Sequence, residues 1–214
     1  MATARSSTYA ILPDRICLPL RFDADRMARD VAGLPGEGWI PHFVTRNYRG
    51  EWTVLPLRCT AGAQHPVKMA YSDPVATDYV ATPWLARAPY LAEVLGNFAC
   101  PLRSVRLMRL GSGSHILPHH DVDLAAETGA ARLHVPITGN AAVEFLLNGT
   151  PVPMAPGSAW YLRLSDEHAV TNDGPSDRVH LVIDCQVDDW LLGLLHQGAG
   201  QGKHPSSTMS RSSG

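Results

Sequence analysis

From Ser104 to Cys185 the chain runs through a succession of short β-rich segments, SVRLMRL, ARLHVPI, AVEFLLNG, GSAWYLRL and RVHLVIDC, each bounded by Gly, Pro, Asn or Asp. Many short strands with closely spaced turn signals predict an antiparallel sandwich or barrel, of which the jelly roll is the commonest closed form. Whatever else the chain does, it does it on a mainly-β scaffold.

The residues before this region read as a flanking layer. ICLPLRF predicts a first strand, and FDADRMARDVAGL a short helix capped by Asp23 or Asp25, with Met27, Val31 and Leu34 on one face,. PGEG at Pro35 to Gly38 ends it. WIPHFVTRNYRGEWTVLPLRCTAG has the look of a hairpin turning at N-Y-R-G, with Pro56 restricting its second strand to a sheet edge or a bulge,. Residues 62–83, rich in Gly, Pro, Ser, Asp and Thr, predict a long surface loop of the kind that often serves as a lid,. PWLARAPYLAEVLGNF predicts a helix.

A chain of 214 residues suits one domain with a large core,. We expect a flexible N-terminus over 1–15, one domain over 16–196 and a disordered tail over 197–214. The net charge is −2 and the Lys and Arg residues are scattered, so no basic stripe offers itself to nucleic acid,. No run has the apolar length needed to cross a bilayer, and MATARSSTYAILPDR has no signal-peptide core, so the expected partners include no membrane and the expected compartment is the cytoplasm,. Cys17, Cys59, Cys100 and Cys185 stand far apart without C-x-x-C spacing, as free thiols of a reducing compartment do,.

The chemistry-bearing residues lie in the β-rich region. His119 and Asp121 point the same way if their segment is extended, because side chains alternate along a strand,. His120 does not share that face. His168, after GSAWYLRL, can complete a set of two imidazoles and one carboxylate, which leaves open positions on an iron for a bidentate oxo-acid and dioxygen,. An H-x-D pair alone is common by chance, and a single histidine in a loop is ordinary. The combination with Arg178, ten residues after His168 at the head of the apolar run VHLVID, changes the balance. A guanidinium at the mouth of a core strand offers a planar fork to a carboxylate and is costly to leave unpaired. In ARLHVPI, Arg132 and His134 share one face while Leu133 and Val135 take the other, which makes them candidate second anchors for a keto acid or a substrate carboxylate.

With H-x-D, then RLH, then His168 and Arg178, the chain resembles the aspartyl/asparaginyl β-hydroxylase family of iron(II)- and 2-oxoglutarate-dependent dioxygenases, in its bacterial branch. The matching segments are SVRLMRLGSGSHILPHHD, RLHVPI and PGSAWYLRLSDEHAVTNDGPSDRVHLVID, with WIPHFVTRNYRGEWTVLPLR matching more loosely. The resemblance implies a double-stranded β-helix, the distorted jelly roll of the cupins, with N-terminal helices on its flank. It implies Fe(II) held by His119, Asp121 and His168, with 2-oxoglutarate as co-substrate and dioxygen as oxidant. Arg178 would then take the distal carboxylate of 2-oxoglutarate, and Arg132 and His134 would contact co-substrate or substrate. The implied activity is hydroxylation of an unactivated C–H of an amino acid, free or within a peptide, with release of succinate and CO2; desaturation or ring formation would use the same chemistry. Trp39, His42, Asn47, Arg58 and Arg106 are candidates to line the substrate pocket. Two other readings stay open: a metal-dependent cupin-type enzyme that uses no 2-oxoglutarate, and a non-catalytic jelly-roll module that binds an acidic small molecule.

Overall fold

A computed structural model describes residues 12–73 and 75–201. The chain opens with β1 (Arg15–Arg21) and α1 (Ala24–Ala32), where the Asp23 carboxylate caps the helix by accepting from the Arg26 backbone N–H at 3.0 Å,. There follow β2 (Ile40–Pro41), β3 (Tyr48–Arg49), β4 (Trp52–Thr60), α2 (Pro66–Ala70), β5 (Tyr79–Ala81), α3 (Pro83–Ala86) and α4 (Pro89–Leu95). The β-rich region holds β6 (Leu102–Leu110), β7 (Ser114–His119), β8 (Ala130–Thr138), β9 (Val143–Leu147), β10 (Thr150–Pro151), β11 (Ser158–Leu162), β12 (His168–Asn172) and β13 (Arg178–Gln186), and α5 (Asp189–Gln201) comes last.

Two antiparallel sheets face each other. The larger runs β1-β11-β8-β13-β6-β4-β2 with β5 added on β4, and the smaller runs β10-β9-β12-β7-β3. This is the antiparallel sandwich expected from the strand pattern, in the double-stranded β-helix form that the family resemblance implies. The central strands of the larger sheet are buried on both faces, and a two-residue alternation sorts their side chains. In β13, Val179, Leu181, Ile183 and Cys185 enter a core that also receives Met27 of α1, Leu91 of α4 and Leu191 and Leu195 of α5. The intervening residues Arg178, His180, Val182 and Asp184 turn toward the smaller sheet, all of them buried. β8 repeats the pattern, with Leu133, Val135 and Ile137 on the helix side and Arg132 and His134 between the sheets. The polar site is thus built on the inner face of a sheet whose outer face supplies the main hydrophobic driving force.

Several local expectations are corrected. The N-Y-R-G turn does not close a simple hairpin: β4 pairs with β2, but β3 crosses to the smaller sheet and pairs with β7. The crossing turns on Gly50, whose φ of 82° favours glycine and whose missing Cβ leaves room for Ser114,. Pro56 does sit at a register shift, between Pro56 and Arg58. PWLARAPYLAEVLGNF forms two helices, because Pro89 pushes Ala88 out of the helical region to φ −128°, ψ 72°,. The expected loop over 62–83 contains α2 and β5. His168 lies on a strand: it opens β12, opposite His119 of β7. At the ends, Leu12 is buried and the Asp14 carbonyl accepts from the Arg163 N–H, so residues 12–15 belong to the fold while 1–11 lie outside the described residues. Residues 197–201 are helical, and the rest of the expected tail lies outside the description. Gly193, Gly198 and Gly200 weaken the sequence signal of α5; Gly198 is where the helix meets β1 at Ile16 and Cys17,. All four cysteines are free thiols. Among the described residues no helix is long and apolar enough to cross a membrane.

Candidate metal centre

The pairing of β7 with β12 sets His168 across from His119, with ring centroids 4.2 Å apart. Asp121, just past β7, is fixed by its backbone N–H, which donates to the Leu164 carbonyl at 2.8 Å. One ligand atom from each of His119, Asp121 and His168 falls within 4.8 Å of the others. The imidazoles are oriented by backbone carbonyls. His119 Nδ1 donates to Leu117 O at 2.8 Å and His168 Nδ1 to Asp166 O at 3.1 Å. A carbonyl can only accept, so each ring carries its proton on Nδ1 and presents the Nε2 lone pair to the site. Burial, and then the neighbouring His119, push His168 down to about 4, which keeps it neutral and ligand-competent at neutral pH,. His120 is exposed and turned to the Ser165 carbonyl.

Burial alone would raise the Asp121 carboxyl, but Arg132 and the nearby imidazoles outweigh it and hold it below the usual range. Arg132 Nη1 donates to Asp121 Oδ2 at 2.5 Å. Oδ1 receives no donor from the described residues and is the oxygen a cation would take. Two lone pairs and one free carboxylate oxygen on one side of a cavity fit a divalent metal of the iron type, with positions left over for other ligands.

Arg178 lies in the same cavity, 3% exposed. Its Nη2 donates to His180 Nδ1 at 2.9 Å, its guanidinium carbon stands 5.9 Å from the Phe145 ring centroid, and its Nε meets no acceptor. No carboxylate among the described residues reaches it, and burial depresses it to about 9. His134 Nδ1 lies 3.4 Å from His180 Nδ1. His134 Nε2 is buried and without a hydrogen-bond partner among the described residues. Burial and the charge of Arg178 keep both histidines well below their ordinary value, hence neutral.

Arg132 and His134 face the cavity, but neither is a free cationic anchor. Arg132 is taken up by Asp184, at 2.6 Å from Nε and 3.0 Å from Nη2, and by Asp121. Burial opposes its charge, yet these two carboxylates raise it further above its ordinary range. His134 carries no charge to offer. Of the pocket candidates, His42, Asn47 and Arg106 do line the cavity. His42 is stacked between Trp52, 3.6 Å between centroids, and Phe43 at 4.8 Å. Arg106 pairs with Asp184 and also donates to the Ala70 carbonyl at 3.1 Å. Trp39 does not reach the cavity: it packs on the helix side, under the Arg109 guanidinium. Ile40 points between the sheets, so its neighbour points away,. Arg58 is also elsewhere, beyond the bulge of β4 and donating to the Tyr79 carbonyl at 2.8 Å.

The cavity measures about 300 Å³, with Phe43, Trp52, Tyr71, Met108 and Leu124 among its walls. Sequence reasoning missed Asp184, His180 and Phe145. The signal for two of them was present: Arg178, His180 and Asp184 are polar residues of one strand at even spacing, in phase with Arg132 and His134 of the neighbouring strand. Phe145, whose ring lies parallel to His168 at 6.1 Å, reads in sequence as an ordinary core residue.

The family model described as Aspartyl/Asparaginyl beta-hydroxylase matches residues 30–187. L-proline cis-4-hydroxylase of Rhizobium meliloti is 26% identical over 171 residues, and the alignment covers 78% of this chain and 59% of that protein. The chain thus spans about three fifths of the length of that relative. Among solved structures, an oxidoreductase of the 2OG-Fe(II) oxygenase family from Burkholderia pseudomallei superposes with a TM-score of 0.53 at 16% identity, over 80% of this chain and 84% of that one. At that identity the likeness speaks for the fold alone. The family match spans most of the chain and includes all the cavity residues named above: the protein belongs to the aspartyl/asparaginyl β-hydroxylase family.

Proposed function

We propose that the protein is an Fe(II)- and 2-oxoglutarate-dependent hydroxylase acting on an unactivated C–H of an amino acid, with release of succinate and CO2. One observation carries the proposal: a triad of two imidazoles and a carboxylate shares a cavity with a buried arginine that has no carboxylate partner among the described residues. A buried, unmatched guanidinium is costly, and an anionic ligand relieves the cost. A metal-dependent cupin without a keto acid, or a silent binding module, leaves either Arg178 or the triad without a role.

His119 and His168 would hold the iron through Nε2 and Asp121 through Oδ1. Bound there, iron with 2-oxoglutarate and dioxygen supplies the oxidising chemistry that side chains lack. Arg178 would grip the distal carboxylate of the co-substrate by its planar fork, and Phe145 would close the space between Arg178 and His168,. His42, held neutral at about 3 by burial and by Arg106, would give the substrate an uncharged ring edge, its two faces being taken by Trp52 and Phe43. Asn47 and Arg106 complete that end. A cavity of about 300 Å³ lies at the small end of ligand pockets,. That size favours a free amino acid over a residue within a peptide.

The test is spectroscopic. Anaerobic protein with Fe(II) and 2-oxoglutarate is expected to show the weak visible charge-transfer band of a chelated keto acid, absent in His168→Ala. Iron demonstrably bound without that band overturns the proposal. A screen of amino acids for stimulated succinate formation, with product mass raised by one oxygen, then identifies the substrate and separates hydroxylation from desaturation.

A further inference from the structure

Behind the triad lies a chain of alternating charge whose centre, Asp184, touches neither the cavity's ligand atoms nor Arg178. Its carboxylate is 2% exposed and sits on β13 opposite Arg132 of β8. Oδ1 accepts from Arg132 Nε at 2.6 Å, and Oδ2 accepts from Arg132 Nη2 at 3.0 Å and from Arg106 Nη2. The remaining terminal nitrogen of Arg132, Nη1, reaches Asp121 Oδ2 at 2.5 Å. The order Arg106, Asp184, Arg132, Asp121 alternates in sign and sums to zero charge. Burial would raise the Asp184 carboxyl, but the two guanidiniums prevail and hold it far below its usual range, so it stays an anion.

A guanidinium gripped at two nitrogens by one carboxylate has lost its freedom to swing. The third nitrogen is then aimed in a fixed direction, and that direction is Asp121 Oδ2. With Oδ2 drawn toward Arg132, Asp121 presents Oδ1 to a metal and bidentate chelation is disfavoured, which leaves one more coordination position for other ligands,. We infer that Asp184 is a positioning residue for the metal centre: by fixing Arg132 it favours monodentate ligation by Asp121. This rests on the reading that His119, Asp121 and His168 hold a divalent metal.

The other view of Asp184 is that it only neutralises two buried arginines. Binding of Co(II) alone, followed by its visible absorption, separates the two. Asp184→Asn keeps the shape but loses the anion and half the grip on Arg132. The double variant Asp184→Asn/Arg106→Gln removes one arginine as well, restores zero net charge to the cluster and is expected to recover most of any lost stability. If Asp184 positions Arg132, both variants bind Co(II) roughly 10- to 100-fold more weakly, as loss of an outer-shell partner does, and both show weaker d–d absorption as Asp121 closes onto the metal with two oxygens. Stability and metal affinity therefore part company in the double variant. Should affinity and spectrum return to wild type there along with stability, or remain wild type in both, the positioning role is overturned while the metal reading stands. Absence of Co(II) binding by the wild-type protein overturns the metal reading and this inference together.

Discussion

Arg178 donates to Nδ1 of His180 at 2.9 Å, and that neutral imidazole is the only side-chain acceptor it meets among the described residues. A buried cation with an imidazole for a neighbour is poised for an anion it does not itself contain. Replacement by a residue of similar length without charge separates binding from stability. Arg178→Met is expected to weaken 2-oxoglutarate binding by roughly 100-fold or more, the scale for removing one partner of a buried charge pair. Divalent metal binding should be unchanged. The unliganded variant should be at least as stable as wild type, because the unmatched charge is gone. Calorimetric titration with 2-oxoglutarate and thermal unfolding without it check the pair; metal and keto-acid affinities falling together would refute this division of roles.

Adjacent histidines give a second contrast. His119 faces His168 across the β7–β12 ladder, while His120 is exposed and bonded to the Ser165 carbonyl. His119→Ala is expected to abolish stoichiometric Co(II) binding and His120→Ala to leave it within a few-fold of wild type. Equal losses in equilibrium dialysis would place the metal elsewhere.

The stacked His42 predicts an acid-sensitive term. Burial, then Arg106, depress it from its ordinary 6.5 to about 3, so the unfolded chain binds a proton that the folded chain refuses between those values. Its stability contribution is complete above 6.5 and is lost as pH falls toward about 3,. His42→Phe keeps a flat ring between Trp52 and Phe43 without the proton site. From pH 7 to pH 5 the wild type should lose roughly 1–2 kcal/mol more than the variant, read from urea midpoints.

The contact of α5 with β1 is a packing prediction. A Cβ at Gly198 would come within 2.6 Å of Ile16 Cγ2 and 2.7 Å of the Cys17 carbonyl oxygen. Gly198→Ala should therefore destabilise by about 1–3 kcal/mol by overpacking, although in an open helix alanine would stabilise by about 1 kcal/mol. A raised urea midpoint would show that α5 can shift at no cost.

Much of the candidate site was legible in the chain because two of its residues are close in sequence. His119 and Asp121 are two apart at the end of β7, and Arg178 heads a strand whose apolar run marks it as buried. The strands of SVRLMRL, ARLHVPI, AVEFLLNG, GSAWYLRL and RVHLVIDC were legible from their turn residues. Strand β12 was not, since HAVTN carries too little apolar periodicity to stand out, and its existence depends on pairing with β7 and β9. The same limit hid the crossing at Gly50, because which sheet a two-residue strand joins is a long-range choice.

The sequence by itself determined the fold class, the alternation that sends every second residue of β8 and β13 inward, and the inventory of ionisable groups facing the cavity. Only the tertiary structure decided which of those groups are already matched. Arg132 and Arg178 look equally available along the chain. Across strands, Arg132 meets Asp184 in register and Asp121 at the end of its reach, while Arg178 meets an imidazole. Charge pairing depends on register between strands distant in sequence, and that register separates an arginine matched by carboxylates from one that meets none among the described residues,.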